Sequence, residues 1–321
     1  MSTLRVAVIG VGYLGRFHAQ KYAQIPSVEL VAVCDANWET AQRVGAELKV
    51  PAVRDYHELI GKVDAVTVAT TTSQHYAVTK TLLENMIHVL VEKPITETVE
   101  QANELIRLAK QHHLILQVGH LERFNAARLA VDPYLSNPRF IESTRLAPFN
   151  PRGTDVNVIL DLMIHDIDLI QSMVLSPIVH IDAQGTPVLT SNIDIANVRL
   201  HFANGCVATI TASRISFKKE RKMRIFQPNL YVSIDFQESE FAVFRKGDGE
   251  MFPGIPNIQS DSEKFASNDA ILLETQAFLE SIRTGKPPLV SGEAGALALE
   301  TAIRITQLIS QQMEKFDAVV A

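Results

Sequence analysis

The first third of the chain has a rhythm that leaves few folds open. Short β-branched runs, RVAVIG (5–10), VELVAVCD (28–35), DAVTVAT (64–70), HVLVEK (88–93) and LILQVG (114–119), alternate with helix-patterned stretches. Those stretches are LGRFHAQKYAQ, ETAQRVGAEL, QHYAVTKTLLEN and VEQANELIRLAKQHH. The runs are apolar at nearly every position rather than at every second one. A strand of that kind is buried on both faces, as in a parallel sheet covered by helices. Strand and helix in alternation then predict a doubly wound α/β domain. Thr98 with Gln101 three residues on predicts a capping box for the fourth helix.

After about residue 121 the pattern changes. A helical stretch, RFNAARLAVDPYL, precedes a strand, RFIESTRLA, and a helix containing DLMIHDID (161–168). A strand-rich section follows: IANVRLHF, CVATITASRI, MRIFQP, LYVSIDF and EFAVFRK. Asn204-Gly205 between two of these is a hairpin signal, and strands joined by short turns imply an antiparallel sheet. Residues 247–267 carry Gly, Pro, Asn and Ser without periodicity and are expected to form a loop. Two helices, near 268–284 and 293–313, close the chain. With 321 residues there is length for two cores. The expected division is 1–121 and 122–321, with the last helix free to return to the first domain.

Composition excludes several classes. Apolar residues make up 46%, charged residues 21%, and the net charge is −6, so neither nucleic acid nor a membrane surface is an expected partner. The dense basic cluster Lys218, Lys219, Arg221, Lys222 and Arg224 reads as a solvated strand end. No apolar run is long enough to span a bilayer. The N-terminus enters a strand at once, without a charged-then-apolar leader, and Cys34 and Cys206 lie in no metal or redox spacing. A cytoplasmic location is the expectation.

The first strand runs into Gly10-x-Gly12-x-x-Gly15, around Tyr13 and Leu14, and then into a helix. Gly10 permits a tight turn, Gly12 lets a pyrophosphate approach the backbone, and Gly15 lets helix and strand pack closely. The helix N-terminus offers free N–H groups and its positive dipole end to phosphates. Asp35 ends the second strand, 20 residues after Gly15, where it can hold ribose hydroxyls. Its carboxylate disfavours a 2′-phosphate, and Ala36, Asn37 and Trp38 supply no cation. The cofactor expected is NAD(H) rather than NADP(H).

The fourth strand ends in Glu92-Lys93-Pro94. A lysine at the carboxyl end of a parallel strand faces the crevice where ligands bind. Partly desolvated beside a cationic nicotinamide, it has a lowered pKa and suits proton exchange with a hydroxyl. In DLMIHDID, Asp161, His165 and Asp168 are spaced i, i+4, i+7 and share one helical face. They could serve as metal ligands, a proton-transfer site or a solvated stripe. No Cys/His cluster joins them to complete a metal site, so no metal is expected. Asp168 reads as support for the helix or for the His165 ring.

Together VIGVGYLG, Asp35, ATTTSQH (69–75), VEKP (91–94), GHLERFN (119–125) and DLMIHDID resemble the glucose-fructose oxidoreductase / inositol dehydrogenase / MocA family. The resemblance runs over essentially the whole chain in the family's motif order. It implies a Rossmann domain followed by an α/β domain with a large, mostly antiparallel sheet. It also implies Lys93 as catalytic lysine, and Asp161 and His165 as groups that contact substrate and relay protons. Thr70, His75 and Glu92 match cofactor-contacting positions, although the family often has proline where this chain has Thr71. Homo-oligomers, dimers or tetramers formed through the second sheet, are a further implication.

Within the family, GHLERFN and RGTDVNVILDLMIHDIDL are most similar to members that oxidise the C3 hydroxyl of UDP-N-acetylglucosamine or its uronic acid, upstream of an aminotransferase in lipid A or glycan synthesis. Arg123, Arg145, Arg152 and Arg214 are candidate cations for the diphosphate, Arg123 and Arg152 foremost. Two alternatives stay open. One is a free-sugar or inositol dehydrogenase, or another carbonyl or imine reductase, on the same scaffold. The other is a non-catalytic NAD-sensing regulator.

Overall fold

The computed structural model describes residues 3–150, 156–266 and 269–320. The chain separates into two compact units: residues 1–121 with 269–299, and residues 122–268 with 300–321.

The first unit is built on six strands. They are β1 (Leu4–Ile9), β2 (Val28–Cys34), β3 (Ala52–Val53), β4 (Ala65–Val68), β5 (His88–Glu92) and β6 (Leu116–Gly119). The sheet order is β3-β2-β1-β4-β5-β6 and every pairing is parallel. This is the dinucleotide-binding order, which reverses direction beside β1 and opens a crevice at the strands' carboxyl ends. The connecting helices are α1 (Tyr13–Gln24), α2 (Trp38–Leu48), α3 (Thr72–Glu84) and α4 (Val99–Gln111). The capping box expected at Thr98 and Gln101 is present, with both reciprocal hydrogen bonds. β4 is buried along its whole length, as the unbroken apolar runs require. β3 escapes sequence reading because two residues carry no periodicity.

The second unit holds α5 (Ala126–Val131), β7 (Phe140–Leu146), α6 (Ile164–Val174) and β8 (Ile178–Thr186). Then come β9 (Ile195–Phe202), β10 (Val207–Ser213), β11 (Glu220–Gln227), β12 (Leu230–Asp235), β13 (Glu240–Phe252) and β14 (Ile255–Lys264). Their order is β14-β13-β12-β11-β7-β10-β9-β8. Neighbours are antiparallel except β7 and β10, which run parallel. Gly205 turns between β9 and β10 with φ +83°, the left-handed conformation that Asn-Gly signals. Of the closing helices, α7 (Ala270–Thr284) belongs to the first unit, and α8 (Gly292–Val320) begins there.

The expectation of a loop over 247–267 is corrected. Residues up to Phe252 continue β13, and Ile255–Lys264 pair back on it as β14. Nearly every β14 side chain is exposed, so neither face carries the period-2 apolar signal by which a strand is recognised. The basic cluster at 218–224 is laced into ion pairs: Lys218 with Glu220, Arg221 with Glu122, Lys222 with Asp235 and Arg224 with Glu142.

On the other side of this unit, Asp194 organises the β8–β9 connection. Its buried carboxylate accepts from the N–H groups of Val188, Leu189 and Thr190 at 2.7–2.9 Å, from the Thr190 hydroxyl at 2.8 Å and from Arg214 Nε at 3.0 Å. Burial alone raises a carboxyl pKa, but these donors outweigh it and hold Asp194 well below the usual carboxylate range. Its contribution to stability is therefore present above the ordinary carboxyl pKa and lost as pH falls toward the depressed one. Asp194→Ala removes the carboxylate from a buried guanidinium, and we expect a loss of about 3–5 kcal/mol at neutral pH in urea denaturation. A loss below about 1 kcal/mol would contradict this account.

Candidate active site

The glycine turn has the geometry its spacing predicts. Gly10 takes φ +81°, and a Cβ there would meet the Ala69 carbonyl oxygen at 2.6 Å. A Cβ on Gly15 would stand 1.8 Å from the Gly10 oxygen, so α1 can seat against β1 only with glycine at that position. Gly12 has nothing within 4 Å of its would-be Cβ, an open approach to the backbone. It is the N-cap of α1, whose first N–H groups receive no side-chain cap. Tyr13 and Leu14 are exposed beside it.

Asp35 is tied to this turn. One carboxylate oxygen accepts from Val11 N–H at 2.9 Å and the other from Asn37 N–H at 2.9 Å. A cleft of about 590 Å³ opens here, lined by Gly10, Gly12, Asp35, Tyr56, Thr70 and Gln74 among others. Open backbone at Gly12, an uncapped helix end and a fixed carboxylate fit a dinucleotide's pyrophosphate and ribose. Arg54, which follows β3, lines the same cleft. Reading onward from Asp35 alone misses this cation, because a separate strand delivers it.

Lys93 follows β5 and is half-buried, with a cis peptide bond to Pro94. His75, on α3, is buried, and its ring nitrogens face the carbonyl oxygens of Pro94 at 2.9 Å and Thr70 at 3.2 Å. Burial shifts the ring toward its neutral form. His75 thus joins the backbone segment of Thr70, which lines the cleft, to that of Pro94 beside Lys93.

Glu92 turns inward beneath Lys93. It receives His18 Nε2 at 2.9 Å and the Lys93 N–H at 3.3 Å. Gly119 makes room for it, since a Cβ there would lie 2.8 Å from Glu92 Oε2. Burial pushes Glu92 up, but His18 and the Lys93 charge outweigh it and hold the carboxyl below its ordinary value. Glu274 of α7 reaches the same spot, its Oε2 lying 3.9 Å from His18 Nε2. Sequence reading passed over His18 and Glu274. The available signal was an acid on the buried stripe Glu274, Thr275, Phe278 and Leu279 of an otherwise amphipathic helix.

In the second unit, DLMIHDID is not a uniform α-helix. Ile159–Met163 form a π-helical turn leading into α6, and the Asn157 side chain accepts from the N–H groups of Ile159 and Leu160 at its start. The wider turn loosens the backbone register ahead of α6, and such turns are frequent at functional sites. Asp161 and His165 are half-exposed, whereas Asp166 and Asp168 are buried.

The two buried acids have cationic partners. Asp168 takes Arg123 in a bidentate pair at 2.6 and 3.0 Å, and Arg123 is only 12% exposed. Asp166 takes Arg145 at 2.7 and 3.2 Å and the Ser143 hydroxyl at 2.8 Å, while Arg145 also bonds Glu122 at 2.8 Å. Burial alone would lower the proton affinity of Arg145, but Asp166 and Glu122 raise it well above the usual value. Arg123, Arg145 and Arg214 therefore have their charges matched by acids of the same unit. Arg152 lies outside the described residues.

Comparison with known proteins places this geometry. Residues 4–120 match an oxidoreductase family with an NAD-binding Rossmann fold, and residues 135–229 match the GFO/IDH/MocA C-terminal domain. The UDP-N-acetylglucosamine 3-dehydrogenase of Acidithiobacillus ferrooxidans is 38% identical over 316 residues, 98% of this chain and 100% of that one. Its solved structure superposes with a TM-score of 0.89 at 39% identity, covering 95% and 97% of the two chains. The myo-inositol 2-dehydrogenase of Thermotoga maritima is 26% identical over 315 residues, 92% of this chain and 93% of that one. No described helix is long and apolar enough to cross a membrane. The likeness holds in sequence as well as in fold from one end to the other, and the chain belongs to the GFO/IDH/MocA family of NAD-binding oxidoreductases.

Proposed function

We propose that the protein oxidises the C3 hydroxyl of a UDP-N-acetylglucosamine-type nucleotide sugar to the 3-keto sugar with NAD⁺. The observation that carries this reading is full-length identity of 38% to a UDP-N-acetylglucosamine 3-dehydrogenase, against 26% to an inositol dehydrogenase. In this reading residues 1–121 bind the cofactor, and the second domain, from residue 122, binds the sugar.

Bound NAD⁺ supplies the hydride acceptor. The Gly10–Gly15 turn and the N-terminus of α1 hold the pyrophosphate, with Tyr13 and Leu14 beside it, and Asp35 holds the adenosine ribose. Thr70 borders the cofactor, and His75 braces Thr70 against the Lys93 segment. Lys93 Nζ takes the hydroxyl proton as the carbon gives up its hydride, so the C–O bond becomes a carbonyl with no charge left on oxygen. A cationic nicotinamide favours the neutral amine that this step needs. Asp161 holds a sugar hydroxyl and His165 assists the proton transfer. Arg152 supplies a cation for the diphosphate, and Arg123, read from sequence as a second one, is paired with Asp168 and holds α6 in place.

We propose self-association through the outer face of the second sheet. Phe140, Phe226, Tyr231 and Phe244 form a continuous aromatic stack across β7, β11, β12 and β13, with successive centroids 4.9–5.8 Å apart, and Phe244 is exposed. Two buried, unpaired thiols, Cys34 and Cys206, suit a reducing cytoplasm.

Lys93→Ala should lower kcat about 10²-fold or more and change NAD⁺ affinity less than about threefold, by steady-state kinetics and cofactor titration. Turnover near the wild-type rate would overturn the assignment. His165→Ala should lower kcat or raise KM for the sugar, with NAD⁺ affinity unchanged; loss of cofactor binding instead would make it a structural histidine. Asp35→Ala should weaken NAD⁺ about tenfold and narrow the preference over NADP⁺, since Arg54 remains in the cleft. Tighter binding of NADPH than NADH by the wild type would contradict the role given to Asp35.

A further inference from the structure

Three ionisable side chains meet behind Lys93 inside the first unit: His18 of α1, Glu92 at the end of β5 and Glu274 of α7. One ligand atom from each lies within 4.8 Å of the other two. The two acids are not equivalent. Glu92 has donors, His18 Nε2 at 2.9 Å and the Lys93 N–H at 3.3 Å. Glu274 is 1% exposed, and neither of its carboxyl oxygens has a hydrogen-bond partner. An ionised carboxylate so placed is desolvated without a hydrogen bond, has only the His18 ring 3.9 Å away, and stands beside a second negative charge. Two carboxyl groups this close resolve the conflict by holding one proton between them.

We infer that Glu274 is a neutral carboxylic acid and a positioning residue of the reaction: its proton points to the Glu92 carboxylate and keeps a single negative charge behind Lys93. The inference rests on the reading of Lys93 as proton acceptor. Every element packed around the group agrees with it. α1 contributes His18, whose Nε2–H is engaged by Glu92, and Tyr22, whose hydroxyl bonds Thr67. β5 contributes Glu92 and Lys93. β6 contributes Gln117, which donates to the Glu274 backbone carbonyl at 3.1 Å and leaves the carboxyl untouched. At the head of α7, Lys21 pairs with Asp269. Burial and the Glu92 charge both raise the Glu274 carboxyl well above its ordinary value, while Glu92 is lowered.

The consequence for Lys93 follows from charge. One carboxylate, fixed by His18 and by the Lys93 backbone, supports the lysine's proton affinity. Two would raise it too far for a base, and none would lower it. There is also a consequence for stability. Glu274 is ionised in the unfolded chain at neutral pH and protonated in the folded one. Stability is fully present below the unfolded pKa and is lost as pH rises through the raised, folded one. The acid thus weakens the fold at neutral and alkaline pH, where Gln in its place does not.

The test uses the full chain and three variants. In the wild type at pH 7, carbon-13 NMR of labelled glutamates should show one neutral side-chain carboxyl, absent from Glu274→Gln. The melting temperature of the wild type should fall between pH 5 and pH 8, and that slope should flatten in Glu274→Gln. Glu274→Leu leaves Glu92 charged by its His18 and Lys93 donors but removes the proton that shares that charge, so the acid limb of the kcat/KM profile for NAD⁺-dependent oxidation of UDP-N-acetylglucosamine should move to higher pH by half a unit or more. Glu274→Gln should restore it. A missing neutral carboxyl, as a shared proton elsewhere or a divalent cation on these three side chains would produce, overturns the inference. So does a Leu variant that melts earlier with its pH profile unmoved. Full activity of Lys93→Ala would remove the lysine reading while leaving the carboxyl signal and the melting slope in place.

Discussion

The close approach of α1 to the end of β1 governs the first unit. A Cβ at Gly15 would stand 1.8 Å from the Gly10 oxygen, a separation no side chain survives. Because that space is empty, the helix N-terminus points its unpaired N–H groups into the crevice at the strand ends. The same seating brings Val11 N–H within 2.9 Å of Asp35, so the carboxylate proposed to hold the ribose is fixed by the turn proposed to hold the phosphates. It also carries His18, one turn further along α1, down to Glu92. Cofactor recognition and the setting of Lys93 thus share one mechanical origin.

The second unit solves a different problem. Its sheet buries Ser143 and Arg145 on the face that packs under α6, and Asp166 of that helix neutralises the arginine. Asp168 does the same for Arg123. A helix with four ionisable groups in eight residues is stable here because two of them are matched and buried, leaving Asp161 and His165 half-exposed. The price is that Arg123, Arg145 and Arg214, read from sequence as phosphate cations, already have acidic partners.

Much of this was legible in the residues. Strands apolar on both faces declared the parallel sheet, the three glycines declared the tight turn between β1 and α1, and Asn204-Gly205 declared its hairpin. What stayed hidden depended on distance along the chain or on missing periodicity. β3 is too short to show a period, and β14 buries too little to show an apolar one. The π turn before α6 loosened a backbone register that simple helical spacing had assumed. The pairing of Arg123 with Asp168 spans 45 positions, and Glu274 arrives beside Glu92 from a helix that belongs to the first unit although it follows the second sheet. No local pattern announces such meetings.

The central claim is a hydride transfer from one carbon of a nucleotide sugar. It is tested most directly with UDP-N-acetylglucosamine carrying deuterium at C3, incubated with the protein and NAD⁺. The account predicts reduced cofactor bearing that deuterium and a 3-keto nucleotide sugar formed in equal amount. Reduced cofactor without deuterium, or none with this sugar while myo-inositol is oxidised rapidly, would contradict it.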